Sequence, residues 1–410
     1  MKKPKILFIS PRQLNQPFSS ISNNDFDNNR VADMILYNHT IKNLPVSLII
    51  YKSSYNNSLK FLSNVKIIEL IVKTKKTSGI LSWFLKNLGM AVPSFLMSFY
   101  SFTFNFFLKI KKQILINDII VFATSTTFIP IIYSRLKKKL VIVDPFGSFF
   151  QLSLRNIYST SIIMMPIWLI RLILAYLIEF ISFHSSNIVL AFNEEHREYL
   201  SKTFLLAKSK IYILPIKINK YLPKANKVQK YRLKFNLKKS DYVALFVGNF
   251  LIPQNLVPLK QLISKSNNSR PNIKYLIVGL TPKNLSFPPN FITTGFIKDL
   301  ENIYPLANVS LAPTSQGSGI KTKILLSLLA NKAVITTPEG ANFLPNNINL
   351  SVTSPSKIIE NINKMSLSLN KQSAPAGYKY TLNNFTVKPF TKKLDKIFFD
   401  SLRLFKQLNF

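Results

Sequence analysis

The stretch Leu311-Ala-Pro-Thr-Ser-Gln-Gly-Ser-Gly-Ile-Lys-Thr-Lys-Ile-Leu-Leu-Ser-Leu-Leu-Ala-Asn-Lys-Ala-Val-Ile-Thr-Thr-Pro-Glu-Gly-Ala341 reads as strand, glycine-containing loop, helix, turn and strand. The loop, residues 314–319, delivers the chain into a helix N-terminus, whose free N–H groups and positive dipole end favour a phosphate. Gly317 and Gly319 are two of only ten glycines in the chain and permit close backbone approach. Lys321 and Lys323 fall in the first helical turn, where exposed cations oppose the dipole by about 0.3–1 kcal/mol each. A bound pyrophosphate reverses that sign; the plainer alternative is that abundant lysines fell there and are solvated. Thr314, Gly317, Ser318, Gly319, Ile320, Lys321 and Lys323 form the candidate anion-binding set.

Outward from this block, the chain alternates strand with helix, which argues for parallel sheets covered on both faces. Short apolar runs bounded by Gly, Pro or Asn predict strands at residues 5–10, 46–51, 65–71, 118–123, 140–143 and 188–191. A second set falls at 242–247, 273–278, 309–312 and 333–337, and helices are predicted between strands, for example over 29–42 and 127–137. A linker is predicted over 210–227, marked by Pro215 and Pro223. At 410 residues the chain suits two domains. The fold class is therefore α/β, with two doubly wound Rossmann-like domains over residues 1–205 and 206–386. A last amphipathic helix follows from 387.

Composition narrows the chemistry. With no cysteine, disulfides, thiolate metal sites and cysteine nucleophiles are excluded. The formal charge of +37 points to an anionic partner or to a biased composition, since Lys, Asn, Ile and Phe abound. The basic residues are scattered and accompany no nucleic-acid module, so no nucleic-acid partner is expected. The opening run before Pro11 is too short for a signal-peptide core, so a cytoplasmic protein is expected. Two segments are lipophilic, 79–110 and 162–183. The second is long enough to span a bilayer. It carries Arg171 and Glu179, each costing about 2.5–3.5 kcal/mol near the centre of a span. A buried core helix or a helix lying in the interface of an anionic membrane is expected instead.

The block Gly-Ser-Gly-Ile-Lys-Thr-Lys-Ile-Leu, followed by Thr-Thr-Pro-Glu-Gly-Ala, resembles the donor-site segment of family 4 type GT-B glycosyltransferases, in the branch with a Gly-x-Gly-Ile-Lys loop. Leu245-Phe-Val-Gly-Asn249 resembles the turn that opens their donor domain, which adds Gly248 and Asn249 to the donor-side residues. Tyr212-Ile-Leu-Pro215 resembles the inter-domain connection. Glu179 and Ala191-Phe-Asn-Glu-Glu195 resemble the end of the acceptor domain, and Lys5-Ile-Leu-Phe-Ile-Ser-Pro11 its first strand. The resemblance implies GT-B architecture, with the helix from 387 to 410 returning to the first domain. It also implies a nucleotide-diphosphate sugar as substrate and a glycan or lipid-linked acceptor in surface polysaccharide assembly. No cofactor and no bound metal are implied. The protein would be cytoplasmic, peripheral on the inner face of the membrane.

Two positions depart from that pattern. Many such enzymes carry glutamates where Ser318 and Leu326 stand here, the second contacting the donor ribose. Ile320, Ile324, Leu325, Leu328 and Leu329 form one apolar stripe at steps of about 100°. Leu326 lies roughly 150° from its middle, which predicts a position off the core and facing the donor. Near the first strand, related enzymes often have a Gly-Gly loop; Ser19 and Ser20 take that place and, with Arg12, are the acceptor-side candidates. Asp144 follows a strand at the edge where α/β ligands bind. It is the candidate for orienting or deprotonating an acceptor hydroxyl, the alternative being a turn or helix cap. His39, His184 and His196 have no spacing that suggests a metal site.

Overall fold

The computed structural model describes residues 3–13, 34–35, 38, 42–52, 65–71, 104–145, 148–157, 165–218, 223–314, 319–348, 350–367 and 373–409. Ser19, Ser20, His39, Gly317 and Ser318 lie outside the described residues, as does most of the segment 79–110.

The described residues form two all-parallel sheets. The first contains β1 (Ile6–Gln13), β2 (Val46–Lys52), β3 (Lys66–Ile71), β4 (Ile119–Phe122), β5 (Leu140–Val143), β6 (Ile188–Ala191) and β7 (Ile211–Ile213), in the order β3-β2-β1-β4-β5-β6-β7. The second contains β8 (Tyr242–Val247), β9 (Ile273–Val278), β10 (Phe291–Thr293), β11 (Val309–Ala312), β12 (Ala333–Thr336) and β13 (Leu350–Val352), in the order β10-β9-β8-β11-β12-β13. In each sheet the order reverses beside the first strand, between β1 and β4 and between β8 and β11. That reversal is the doubly wound topology, and it opens a crevice at the carboxyl ends of those strands. The central strands β4, β5, β6, β11 and β12 are buried along their whole length, as strands covered on both faces must be. In β1 the pairing with β2 slips between Ser10 and Gln13, on either side of Pro11, which has no N–H to give the ladder.

The helices of the first unit are α1 (Phe104–Ile116), α2 (Phe128–Leu136), α3 (Phe149–Ile157), α4 (Met165–Ser185) and α5 (Glu194–Phe204). The α5 start is written locally: Asn193 Oδ1 accepts from His196 N at 3.0 Å, and Glu194 and Glu195 sit in the first turn, where the dipole favours them. The second unit carries α6 (Ala225–Lys234), α7 (Pro253–Lys265), α8 (Thr322–Leu329), α9 (Pro338–Ala341), α10 (Ile358–Leu367) and α11 (Pro375–Phe385). The chain ends in α12 (Val387–Asn409).

Each unit has its own core. Leu7, Ile120, Phe122, Val141 and Val189 centre the first, with Phe106, Phe183 and Phe204 packed from the helices. Ala244, Phe246, Tyr275, Ile277 and Leu311 centre the second. The first unit includes Asp25–Ile216 and takes up Thr391–Phe410; the second includes Lys217–Phe390. The change of unit, between Ile216 and Lys217, falls inside the linker expected over 210–227. The predicted linker over 210–227 begins with a strand, because β7 pairs with β6 through Val189–Ile211, Leu190–Tyr212 and Ala191–Ile213. Most of α12 belongs to the first unit, where Asp395 pairs with Lys42 at 2.9 Å and the same ammonium lies over the Phe398 and Phe399 rings.

Candidate functional site

In the second unit, the described candidate donor residues other than Leu326 gather at the reversal point of the sheet. β8 ends at Val247 and releases Gly248 and Asn249; β11 ends at Ala312 and leads through Thr314 toward Gly319 and α8. Two glycines make the first turn geometrically possible. Gly279, which follows β9, has φ +134°, and a Cβ there would overlap the Gly248 carbonyl oxygen. A Cβ on Gly248 would meet Asn255 Nδ2 at 3.0 Å and Lys323 Nζ at 3.5 Å. The backbone there approaches the side chains of two other elements as closely as glycine allows.

Lys323 is the centre of the arrangement. Its Nζ donates to Asn255 Oδ1 at 2.6 Å and lies 5.3 Å from the centre of the Phe246 ring. Asn255 Nδ2 donates to the Asn249 carbonyl at 2.9 Å, so one amide ties the β8 turn to the lysine. Burial, with the charge of Lys321 second, lowers Lys323 to about 7. Lys321 donates to the Gly319 carbonyl at 2.9 Å and serves as the N-terminal boundary residue of α8 without a side-chain cap. The first helical bond runs from Ile324 N to Lys321 O at 2.9 Å. Two lysines thus stand at the positive end of a helix, and the surroundings of one of them weaken its hold on its proton. That is an unfavourable arrangement for an empty site and a favourable one for a polyanion.

The exit of β11 is fixed from β12 and the residue that follows it. Thr336 Oγ1 donates to the Ala312 carbonyl at 2.8 Å and Thr337 Oγ1 to the Thr314 carbonyl at 2.6 Å. Gly340 N returns a bond to Thr337 Oγ1 at 3.2 Å, and a Cβ on Gly340 would overlap Thr336 Oγ1. Thr314 and Ile320 are both buried. The Thr336-Thr337-Pro-Glu-Gly340 run is therefore a buttress for the strand exit.

Leu326 corrects the sequence expectation. It is 3% exposed, and α8 is buried from Ile324 through Leu329. Leu325, Leu328 and the sheet do not exhaust its surroundings, because α11 packs across α8. Gly377 of α11 lies so close to Leu328 that a Cβ would overlap Leu328 Cδ2. A helix covered on more than one side has no free face opposite its stripe.

In the first unit, Arg12 lies in β1 at its carboxyl end, beside the reversal point. Asp144 follows β5, is fully buried, and donates its backbone N–H to the Phe122 carbonyl at 2.8 Å. The cap on the next helix comes from other residues. Glu179, fully buried on α4, accepts from Ser125 Oγ at 2.8 Å, Ser148 Oγ at 2.7 Å, Phe149 N at 2.7 Å and Phe150 N at 3.1 Å. Ser148 Oγ also accepts from Gln151 N at 3.0 Å. Burial raises the Glu179 carboxyl, and the four hydrogen bonds oppose that rise. Sequence reasoning missed both Asn255 and this role of Glu179. The signal for the second was present, since a lone carboxylate in an apolar run needs partners. His184 Nε2 lies 2.9 Å from the Phe204 carbonyl, and His196 is buried with Nδ1 accepting from Phe192 N at 3.2 Å. Among the described residues, no group of three or more His, Asp or Glu stands together as a metal site would require.

Comparison with known proteins bears on the fold. Residues 241–366, the span that holds β8 through α10, match the family described as glycosyl transferases group 1. A structure of Anabaena HepE in complex with UDP-glucose superposes with TM-score 0.64 at 11% identity, covering 97% of this chain and 100% of that one. A glycosyltransferase from Rickettsia africae gives 0.59 at 15% identity, covering 100% and 99%. WaaG, a glycosyltransferase involved in lipopolysaccharide biosynthesis, gives 0.60 at 14%, covering 96% and 99%. The fold is GT-B. No curated protein matches the sequence. The GT-B likeness spans nearly the whole chain, and the family match falls on the unit that holds Lys321 and Lys323.

Proposed function

We propose that the chain transfers a sugar, as a hexosyltransferase does, from a nucleotide-diphosphate donor to a glycan or lipid-linked acceptor in surface polysaccharide assembly. The observation that carries this reading is the pair Lys321 and Lys323 at the N-terminus of α8, with Lys323 held by Asn255 under the β8 turn. In such a transfer, negative charge grows on the departing diphosphate. Two ammonium groups and the first N–H groups of α8 would stabilise it there, and they do so best when fixed in advance. Gly319 would let the backbone approach the phosphates, while Gly248 lets Asn255 and Lys323 close on the β8 turn. Asp144 is the candidate for orienting an acceptor hydroxyl, with Arg12, Ser19 and Ser20 on the acceptor side. The protein would work in the cytoplasm, on the inner face of the membrane.

A second reading has its own observation. Neither Ser318 nor Leu326 offers a carboxylate, and Leu326 is buried, so the ribose contact of related enzymes has no counterpart at that position. A GT-B protein that binds a nucleotide, glycan or partner enzyme without turnover fits that fact. Calorimetric titration with a panel of nucleotide sugars, followed by turnover with the tightest binder, separates the two. Binding that is lost in Lys321→Glu and accompanied by sugar transfer supports the enzyme. Lysine-dependent binding without transfer supports the second reading, and unchanged binding in Lys321→Glu removes the α8 site from both.

A further inference from the structure

We infer that the outer face of α4 is a docking surface for an anionic lipid membrane, on which the helix lies flat. The helix is 21 residues long, about 31 Å at the α-helical rise. One of its sides belongs to the core: Ala175 and Phe183 are fully buried and Trp168 nearly so. The other side presents Leu169, Ile170, Ile173, Leu174, Leu177 and Ile181, all exposed, with Ile170 at 60% and Ile173 at 58%. Their spacing of three and four places them along one stripe. A contiguous aliphatic stripe of this length on an outer surface marks an interaction site, whereas scattered leucines would not.

Charge selects the partner. α1 and α2 continue the layer, α2 packing against both α1 and α4. The described residues of these helices, with the turn after α2, expose Lys109, Lys111, Lys112, Arg135, Lys137 and Lys138. The one carboxylate on α1, α2 and α4 is Glu179, and it is buried. Exposed Leu108, Leu115, Ile116 and Leu136 lie among those cations. An aliphatic stripe beside lysines, on three helices that expose no acid, suits the boundary between acyl chains and anionic headgroups. A second copy of this chain suits it poorly, since pairing the same face across a two-fold axis would set cation against cation.

The mode is interfacial. Trp168–Ser185 is long and apolar enough to cross a bilayer. Spanning would require Glu179 to leave Ser125, Ser148 and the α3 backbone, and the Arg171 guanidinium to leave the Trp168 and Phe149 rings. Lying flat keeps every one of those contacts while the stripe enters the lipid by about 5–10 Å.

This surface extends the acceptor side of the proposed function, yet its test needs no donor. The full chain is floated with vesicles of phosphatidylcholine alone and of equal parts phosphatidylcholine and phosphatidylglycerol. Binding is expected only to the anionic vesicles, falling steeply at high salt, where charge attraction is screened over about 3 Å at 1 M. The double variant Ile170→Ser, Ile173→Ser should lose roughly tenfold or more in vesicle affinity. Its thermal melt and nucleotide-sugar titration should be unchanged. Binding unaltered in that variant would overturn the assignment, as would protein retained on membranes through alkaline carbonate. A concentration-dependent dimer that the variant abolishes, without vesicle binding, would overturn it in favour of a second copy. A failed nucleotide titration with intact vesicle binding would count against the donor site alone.

Discussion

At the residue scale, Lys323 and Leu326 carry the sharpest consequences. Lys323 sits near 7 when the site is empty, so at pH 8 it is largely neutral. A diphosphate beside it restores the charged form, and binding then takes up a proton. Titration calorimetry at pH 8 in two buffers of different ionisation enthalpy should show roughly one proton absorbed, and none in Lys323→Met. Zero uptake in the unaltered protein would remove Lys323 from the phosphate contacts. The same shift has a stability consequence of fixed sign. A lysine depressed from 10.5 to about 7 holds fewer protons folded than unfolded, so its contribution to stability grows as pH rises through that window. For Leu326 the spacing argument pointed outward and burial reverses it. Leu326→Glu should therefore cost about 3–5 kcal/mol, the penalty of an uncompensated buried charge, read from urea denaturation. A variant that keeps its stability would show that the position opens to solvent.

At the element scale, α4 joins two roles on opposite faces. Inward, Glu179 closes the N-terminus of α3, where the dipole and two backbone N–H groups favour a carboxylate. Glu179→Ala leaves four donors without their acceptor and should cost about 1–3 kcal/mol for each that stays buried and unsatisfied. Because burial raises the folded-state carboxyl, the folded chain keeps a proton that the unfolded chain has lost. Its contribution is present below the ordinary value of 4.5 and declines as pH climbs through the raised one. The stability advantage of the unaltered chain over Glu179→Gln should shrink across that range, and an advantage flat in pH would refute the linkage. Elements also decide what was legible in the sequence. β8, β9 and β11 run over the predicted residues because buried parallel strands are unbroken apolar runs. β7, β10 and β13 were missed; each has three residues and lies at a sheet edge, too short to show a pattern. The cations of α8 were legible from spacing alone. Asn255 was not, since its link to Lys323 joins residues 68 positions apart.

At the scale of the whole molecule, the doubly wound order of both sheets follows from alternation, whereas the strand β7 at the start of the linker was not revealed by it. The charge was visible from the start, and its energetic meaning follows from numbers. Fifty-four Lys and Arg face 17 Asp and Glu, so most cations have no carboxylate to pair with, even if every acid is used. Pairs such as Lys227–Asp299 and Arg197–Glu194 are partly exposed and contribute little each. The remaining positive charge repels itself, which opposes the compact state. Screening over about 30 Å at 0.01 M salt tightens to about 8 Å at 0.15 M, a distance shorter than either unit. The melting temperature should therefore rise between those concentrations, by about 2–4 °C for each kcal/mol of repulsion removed. Sodium chloride and tetramethylammonium chloride should act alike, because the effect needs ionic strength and no particular cation. Nucleotide-sugar affinity should fall over the same window, since the ions that relieve repulsion also screen Lys321 and Lys323 from the diphosphate. A melting temperature that stays level or drops with salt would mean that the cations are already neutralised by a tightly held polyanion. Ion-exchange washing followed by phosphate analysis would then find it.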